Sequence, residues 1–293
     1  MKNRPPKSRA PRRPSAGLGA LRSFYARYVA AVAGVKDERI SAAFAAVARE
    51  DFMGAGPWQV AVAGGYIATH TDDPRVLYQN ILIGLKTEAG INNGQPTLHA
   101  KCLEMAEPRT DDVVIHVGAG TGYYTAILAH LVGRKGKVVA YEIDRELAMR
   151  ARENLASLAM VRVRRQSAVA ARLPVADVIY VCAGASHIPA AFLDGLAIGG
   201  RLVLPLTPNE RAGCMLLVTR ASANEFAAKI FSPAAFIPCI GARDDAASTA
   251  LATALAGGGA DRVRSLRRTE APDASAWCIG SGWWLSTTDA SAR

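Results

Sequence analysis

Residues 113–124 read VVIHVGAGTGYY, and residues 137–144 read KVVAYEID. The first five residues are mostly apolar and β-branched, which predicts a buried strand of a parallel sheet. The strand is followed by three alternating glycines, Gly118, Gly120 and Gly122, and then by TAILAHLVG, which has helical spacing. Because glycine has no side chain, such a turn lets backbone N–H groups approach a ligand closely. The pattern predicts a ligand-binding loop between a strand and a helix.

The second apolar run ends in Glu142, about 20 residues after the glycines. A carboxylate at this position can accept hydrogen bonds from both ribose hydroxyls of a nucleoside. The dinucleotide fingerprint G-x-G-x-x-G does not fit, because its sixth position is Tyr123. The loop is therefore not predicted to bind a dinucleotide.

The G-x-G-x-G form resembles the loop of class I methyltransferases, which implies S-adenosyl-L-methionine as cofactor. A glycine turn of another α/β protein is the alternative. The resemblance implies cofactor contacts from the first strand with its glycine loop and from the ends of the next three strands. The predicted cofactor-binding residues are His116, Gly118, Ala119, Gly120, Gly122, Tyr123, Glu142, Ile143, Gln166, Ser167 and Ala183.

Length and composition favour one domain with appendages, since 293 residues with 50% hydrophobic content can bury a full core. No apolar run reaches the ~18–20 residues of a membrane span. The N-terminus lacks the apolar segment of a secretory signal, so we expect a cytoplasmic protein. The five cysteines are scattered without a C-x-x-C pair, which argues against a zinc site or a disulfide framework. No metal site is predicted.

The formal net charge of +10 is concentrated at one end. Seven of the 35 basic residues lie within residues 1–22, which contain no acidic residue, so the other 28 nearly balance the 25 acidic ones. This segment is also rich in proline and serine, which predicts disorder. It could contact nucleic acid or an acidic partner, but we favour a solvated extension.

The chain divides into four predicted segments. Residues 1–17 form a disordered basic tail, and residues 18–110 hold N-terminal helices and substrate-side loops, with residues 53–96 irregular. Residues 111–243 alternate strand and helix, which predicts an α/β fold with a doubly wound, mostly parallel sheet. The predicted strands are Val113–Val117, Lys137–Glu142, Val161–Arg165, Ala176–Cys182 and Arg201–Leu206, with a terminal hairpin of Met215–Thr219 and Ala227–Phe231.

Residues 244–293 are predicted to form a C-terminal extension. Its first part is rich in alanine and glycine and predicts a weak helix, while Trp277–Ser286, WCIGSGWWLS, is aromatic and strand-like. Three tryptophans could form a ligand surface. We favour packing on the sheet edge, because a hydrophobic edge strand must be covered.

Several segments beyond the glycine loop resemble one family. These are VAREDF (47–52), GQPTLHA (94–100), LAIGGRLVLP (196–205) and FIP (236–238). Together with the glycine loop they are similar to protein-L-isoaspartate (D-aspartate) O-methyltransferases over roughly residues 40–243. The resemblance implies a Rossmann-like class I methyltransferase fold with a seven-stranded sheet. It also implies S-adenosylmethionine-dependent carboxyl O-methylation of isoaspartyl residues in proteins or peptides.

The segment before the core departs from that family's pattern. The resemblance implies a serine two residues before Pro96 that contacts the substrate, whereas this chain has Gly94 there. Neighbouring amides could supply the missing contact, and the histidine of the segment either lines the site or packs inside. A Gly94→Ser change is expected to raise isoaspartyl turnover, provided that no positive φ requires glycine. The predicted substrate-site residues are Asn92, Asn93, Gln95 and His99.

Two further departures concern the cofactor side. The acidic residue usual in the first strand is replaced by His116, and the family's G-D-G after the third strand is replaced by Arg165-Gln166-Ser167. Adenine contacts are then expected from Gln166 or Ser167.

Methyl transfer to a carboxylate needs no general base, since an acceptor with a pKa near ~4 is already ionised at neutral pH. The leading hypothesis is isoaspartyl methylation. One alternative is methylation of a different carboxylate or hydroxyl on a peptide or small molecule, and another is a non-catalytic cofactor-binding module. Nucleic acid is not expected as a partner, because the excess positive charge lies in the tail. In addition, the fourth strand is not followed by (N/D)-P-P-(Y/F), the segment typical of methyltransferases that act on the exocyclic amines of bases.

Overall fold

The computed structural model describes residues 16–209, 212–268 and 270–290. The predicted basic tail therefore lies outside the described residues, except for Ala16 and Gly17. These two residues begin the first helix.

A single ten-stranded sheet organises the molecule, in the order β7-β6-β5-β8-β9-β10-β11-β12-β14-β13. The five strands from β7 to β9 are parallel, and every later pairing is antiparallel. The strands are β5 (Val113–Val117), β6 (Lys137–Tyr141), β7 (Val161–Arg164), β8 (Ala176–Val181), β9 (Leu196–Leu206), β10 (Gly213–Arg220), β11 (Phe226–Ala234), β12 (Ser265–Arg267), β13 (Ala276–Gly280) and β14 (Trp283–Ser286).

The sheet is larger than the seven strands expected from the sequence. Strands β5 to β11 are those seven, and the C-terminal residues add three more, because β12 pairs with β11 and β14 with β12. Trp283 and Trp284 are buried there, and the indole of Trp277 donates to the carbonyl of Gly258 at 2.8 Å. The extension thus continues the sheet instead of presenting three tryptophans to a ligand.

Helices cover both faces of the sheet. Aspartate side chains cap several of them; Asp144, for example, caps the helix that begins at Arg145 and accepts from the Leu147 amide at 2.9 Å. The helices are α1 (Ala16–Ala33), α2 (Glu38–Ala46), α3 (Glu50–Met53), α4 (Pro96–Ala106), α5 (Tyr123–Val132), α6 (Arg145–Asn154), α7 (Ala190–Asp194) and α8 (Asp245–Ala256).

Residues 53–96 are more regular than predicted. They contain two small antiparallel sheets, formed by β1 (Gln59–Val62) with β2 (Gly65–Ala68) and by β3 (Gly84–Lys86) with β4 (Ile91–Asn92). Strand β9 also differs, since it begins at Leu196 and not at the predicted Arg201. Its pairing with β8 is irregular between Leu196 and Arg201.

Alternate residues of the central strands pack into two hydrophobic cores. Val114 and Val178 face one core with α1, α2, α4 and α5, whereas Ile115 and Ile179 face the other with α7 and α8. This alternation follows from the two-residue period of a strand. None of the described helices is both long enough and apolar enough to cross a bilayer.

Candidate active site

The glycine loop joins β5 to α5. Its three glycines have φ of 77°, 56° and 97°, a left-handed conformation that side chains resist. The amides of Gly118 and Ala119 donate to the carbonyl of Tyr141 at 2.9 and 3.1 Å, which ties the loop to the end of β6. Gly122 precedes α5 at its N-cap position. The loop therefore has the backbone geometry that the sequence predicted.

Glu142 connects this loop to the start of α6. Its buried carboxylate accepts from the amide of Gly120 at 2.7 Å and from that of Asp144 at 2.9 Å. Burial raises the pKa of Glu142, and these amide hydrogen bonds oppose the rise. Since each carboxylate oxygen can accept more than one hydrogen bond, acceptor capacity remains for ribose hydroxyls.

The β3–β4 hairpin lies over the glycine loop. A Cβ atom on Gly120 would lie 3.2 Å from Leu85 Cδ1. Lys86 Nζ lies 2.7 Å from Asp144 Oδ2, so an ion pair joins the hairpin to the N-terminus of α6. Sequence reasoning missed this cover, because the segment was predicted to be irregular.

The predicted substrate segment runs from β4 into α4. Asn92 Oδ1 accepts from the Gly94 amide at 3.0 Å, and Asn93 Oδ1 accepts from the Ile83 amide at 2.8 Å. Both carbonyl oxygens therefore hold the loop itself. The buried Asn93 Nδ2 has no hydrogen-bond partner in the described part of the chain, and Gln95 is exposed just before α4. The amide donor of Gln95 is therefore accessible to a ligand, whereas Asn93 Nδ2 is closed off from solvent.

His99 is buried on α4 and is held on two sides. Its ring stacks on that of Tyr124, with centroids 3.6 Å apart and an interplanar angle of 11°, and its Nδ1 lies 2.9 Å from Tyr180 Oη. Burial lowers the pKa of His99 to about 3, so the imidazole is neutral at pH 7. Burial also raises the pKa of the nearby Cys102 thiol to about 12. A reactive thiolate–imidazole pair is therefore absent from this helix.

Gly94 and His99 share one space. Gly94 has a φ of 74°, and a Cβ added to it would lie only 2.1 Å from His99 Nε2. The tyrosine that stacks on His99, Tyr124, also donates to the Gly94 carbonyl at 3.3 Å. The expectation that Gly94→Ser raises turnover is thus corrected, because a serine side chain there would meet the imidazole in a strained backbone.

His116 lies inside the protein. Its Nδ1 lies 2.8 Å from Thr125 Oγ1 and its Nε2 lies 3.2 Å from Cys182 Sγ. Burial lowers the pKa of His116 to about 3. The side chain therefore bridges β5, α5 and the end of β8 and does not line the cleft described next.

One cleft of about 770 Å³ joins the two halves of the predicted site. It brings together Asn92, Asn93, Gly94, Gln95 and His99 with Gly118, Ala119, Gly120 and Tyr123. The predicted residues that do not line it are His116, Gly122, Glu142, Ile143, Gln166, Ser167 and Ala183. Among these, Ile143 and Gln166 are exposed, and Ser167 Oγ accepts from the Val169 amide at 3.3 Å.

Sequence reasoning missed several walls of this cleft. Tyr124 and Phe236 belong to segments already noted for their family resemblance, so the signal was present but was not read as lining. Leu82 and Leu85 come from the hairpin segment and carried no local signal. No cluster of three or more potential metal ligands occurs in the portions of the chain that the structure describes.

Arg49 holds in place the backbone that leads into the β3–β4 hairpin. This fully buried side chain donates to the carbonyls of Leu77, Gln79 and Ile81 at 2.5, 2.9 and 2.7 Å. It therefore fixes the chain that leads into β3. Arg49 belongs to the VAREDF segment, so in this segment the family resemblance includes a residue that holds the backbone in place.

Comparison with known proteins gives a consistent picture. Residues 29–244 match the family model described as protein-L-isoaspartate(D-aspartate) O-methyltransferase. The chain is 38% identical over 157 residues to the protein-L-isoaspartate O-methyltransferase of Ignicoccus hospitalis, covering 52% of this chain and 74% of the relative. It is 31% identical over 212 residues to protein-L-isoaspartate O-methyltransferase 1 of Rhodopseudomonas palustris, covering 71% and 78%.

Solved structures share the fold. A protein-L-isoaspartate O-methyltransferase structure matches with a TM-score of 0.63 at 23% identity, covering 75% of this chain and 66% of that one. A putative protein-L-isoaspartate O-methyltransferase of Plasmodium falciparum, in complex with S-adenosyl-L-homocysteine, matches with a TM-score of 0.60 at 16% identity, covering 74% and 97%. The α/β class predicted from the sequence is confirmed.

Proposed function

Because this chain belongs to the protein-L-isoaspartate(D-aspartate) O-methyltransferase family, we propose that it methylates the carboxyl group of isoaspartyl residues in proteins or peptides. The observation that carries this proposal is the cleft shared by the glycine loop and the segment from Asn92 to His99. A cofactor on one side and an acceptor on the other would meet there. We also propose that it acts in the cytoplasm, in keeping with its five free cysteines.

The described residues fit S-adenosyl-L-methionine as cofactor. A Cβ atom on Gly118 would lie 3.3 Å from the carbonyl oxygen of Cys182, so this side of the cleft is shaped by bare backbone. The loop from Gly118 to Gly122 would bind the cofactor through backbone groups. The carboxylate of Glu142 would bind the ribose hydroxyls of the cofactor. When bound, the cofactor supplies an electrophilic methyl group. We keep Gln166 and Ser167 as proposed adenine contacts.

The chemistry asked of the protein is mainly alignment. An ionised acceptor carboxylate needs no proton removed, and the neutral His99 is not required as a base. Aligning two reactants can lower a barrier by roughly 7–11 kcal/mol. The cleft walls of Leu85, Tyr124 and Phe236 would exclude water while the accessible amide donor of Gln95 helps to hold the acceptor.

Turnover of labelled S-adenosylmethionine tests the proposal. The substrates are an isoaspartyl peptide, its normal aspartyl twin and a cell extract. We expect label in the isoaspartyl peptide as a base-labile methyl ester and none in the twin. Equal labelling of both peptides, or labelling of the extract alone, would contradict the proposal.

The geometry at Gly94 favours a second candidate function. The imidazole of His99 stands where a side chain of residue 94 would begin, so the acceptor floor differs from one built around a serine hydroxyl. A different carboxylate or a hydroxyl, on a peptide or a small molecule, could fit this floor. Labelling confined to one component of the extract would identify that acceptor.

A further inference from the structure

We propose that His99 binds the acceptor carboxylate directly, donating a hydrogen bond from Nε2–H at the floor of the cleft. The inference rests on the proposed function, since it names the group that would hold the acceptor in that site. It assigns a binding role to a side chain whose burial alone would suggest packing.

The position of Nε2 is the first step. This atom lies 2.1 Å from the point where a Cβ of Gly94 would stand, and His99 lines the cleft. The ring's hydrogen bond to Tyr180 uses Nδ1, and Nε2 makes no hydrogen bond to a described residue. Its hydrogen-bonding capacity is therefore unused within the described residues, and only a glycine at position 94 leaves room for the ring beside the cleft.

The direction of the proton is the second step. Tyr180 Oη lies 2.9 Å from Nδ1 and 3.4 Å from the His99 carbonyl. That carbonyl lies within α4, where the helix already supplies a donor. We assign the Tyr180 proton to the shorter, 2.9 Å contact with Nδ1, and the ring proton is then on Nε2. A carboxylate, which only accepts hydrogen bonds, is the matching partner.

Rigidity is the third step. The stacked ring of Tyr124 and the hydrogen bond from Tyr180 hold the imidazole on two sides. Tyr124 also donates to the Gly94 carbonyl at 3.3 Å, so the same tyrosine fixes both the ring and the glycine that admits it. A donor held this firmly can orient one carboxylate oxygen, which is what alignment requires.

Three variants test the role with the isoaspartyl peptide. His99→Leu removes the donor but fills the space, and kcat/KM for the peptide should fall ~10- to 100-fold, as for loss of a hydrogen bond to a charged group. His99→Gln keeps an N–H donor near Nε2, and kcat/KM should stay within about fivefold of wild type. His130→Leu removes an exposed histidine on α5 and is the matched control, expected to be unchanged. The affinity for S-adenosylhomocysteine should be the same in all three.

If His99→Leu methylates the isoaspartyl peptide at the wild-type rate, this inference is overturned and the proposed function is left intact. The combined change Gly94→Ser with His99→Ala gives an independent readout, since it puts a hydroxyl where the imidazole stood. It should turn over the peptide faster than His99→Ala alone, and a slower rate would count against a shared acceptor position. Thermal unfolding of each variant shows which proteins are folded.

Nitrogen NMR of the histidine rings separates the two proposals. If the wild type fails to methylate the isoaspartyl peptide, the proposed function is wrong. The role of His99 is then judged by its own signal. A proton on Nε2 whose resonance shifts when the peptide is added supports the inference. A proton on Nδ1, or a resonance unmoved by the peptide, overturns it.

Discussion

Arg49→Met removes the buried guanidinium that holds the chain leading into β3. Three backbone carbonyls lose their hydrogen-bond donor, but the carbonyl of exposed Gln79 can accept from water instead. The carbonyls of Leu77 and Ile81 lie further inside, and an unpaired buried acceptor costs about 1–3 kcal/mol. Relief from desolvating the guanidinium offsets part of this loss. We expect a net loss of about 3 kcal/mol in the free energy of unfolding.

Urea denaturation and thermal melting measure this loss. A change of about 3 kcal/mol should lower Tm by about 5–10 °C for a chain of this size. Arg27→Met, an exposed substitution on α1, is the matched control and should shift Tm by less than about 2 °C. A loss below about 1 kcal/mol in Arg49→Met would refute the reasoning, because it would mean that the three carbonyls find other partners.

Two further predictions concern the cofactor and pH. Glu142→Ala should weaken binding of S-adenosylhomocysteine by about 1–3 kcal/mol in calorimetry, while exposed Glu146→Ala should not; equal affinities would remove Glu142 from the cofactor site. Burial lowers the pKa of both His99 and His116 to about 3, so below pH 6.5 the unfolded chain takes up protons that the folded chain does not. Lowering the pH from 6.5 to 5 should therefore reduce the unfolding free energy by about 1.6 kcal/mol per histidine, and the reduction should be smaller in His99→Gln. An identical pH dependence of urea unfolding in that variant would show that His99 is solvated or charged when folded.

The glycine loop and the strands beside it could be predicted from local sequence. Strand β5 has the predicted bounds, Val113–Val117, and β6 begins at the predicted Lys137. Runs of β-branched residues and alternating glycines act through backbone conformation over a few residues. Signals of this kind do not depend on what the rest of the chain does. The α/β class and the glycine loop between β5 and α5 therefore followed from the sequence.

The short strands between residues 53 and 96 could not be predicted in this way. Each spans two to four residues and carries no periodic pattern, so pairing with a neighbour defines it. The same holds for β12, which is defined by its pairing with β11 and β14. Buried Arg49 adds to this, since it ties down carbonyls about 30 residues away. In contrast, β13 and β14, apart from Ala276, lie in the segment Trp277–Ser286 that was predicted to be strand-like.

The proposed acceptor floor, formed by Gly94 and His99, depends on contacts between distant parts of the chain. From the sequence, Gly94 could be read only as a missing serine, and His99 as a histidine that either lines the site or packs inside. In the fold, Tyr180 reaches His99 across 81 residues, and the imidazole fills the space beside Gly94. Steric overlap and hydrogen bonding act over a few ångströms in space, whatever the separation along the chain. Periodicity and local composition determine the strands and the glycine loop. The proposed acceptor side depends instead on side chains that only the tertiary structure brings together.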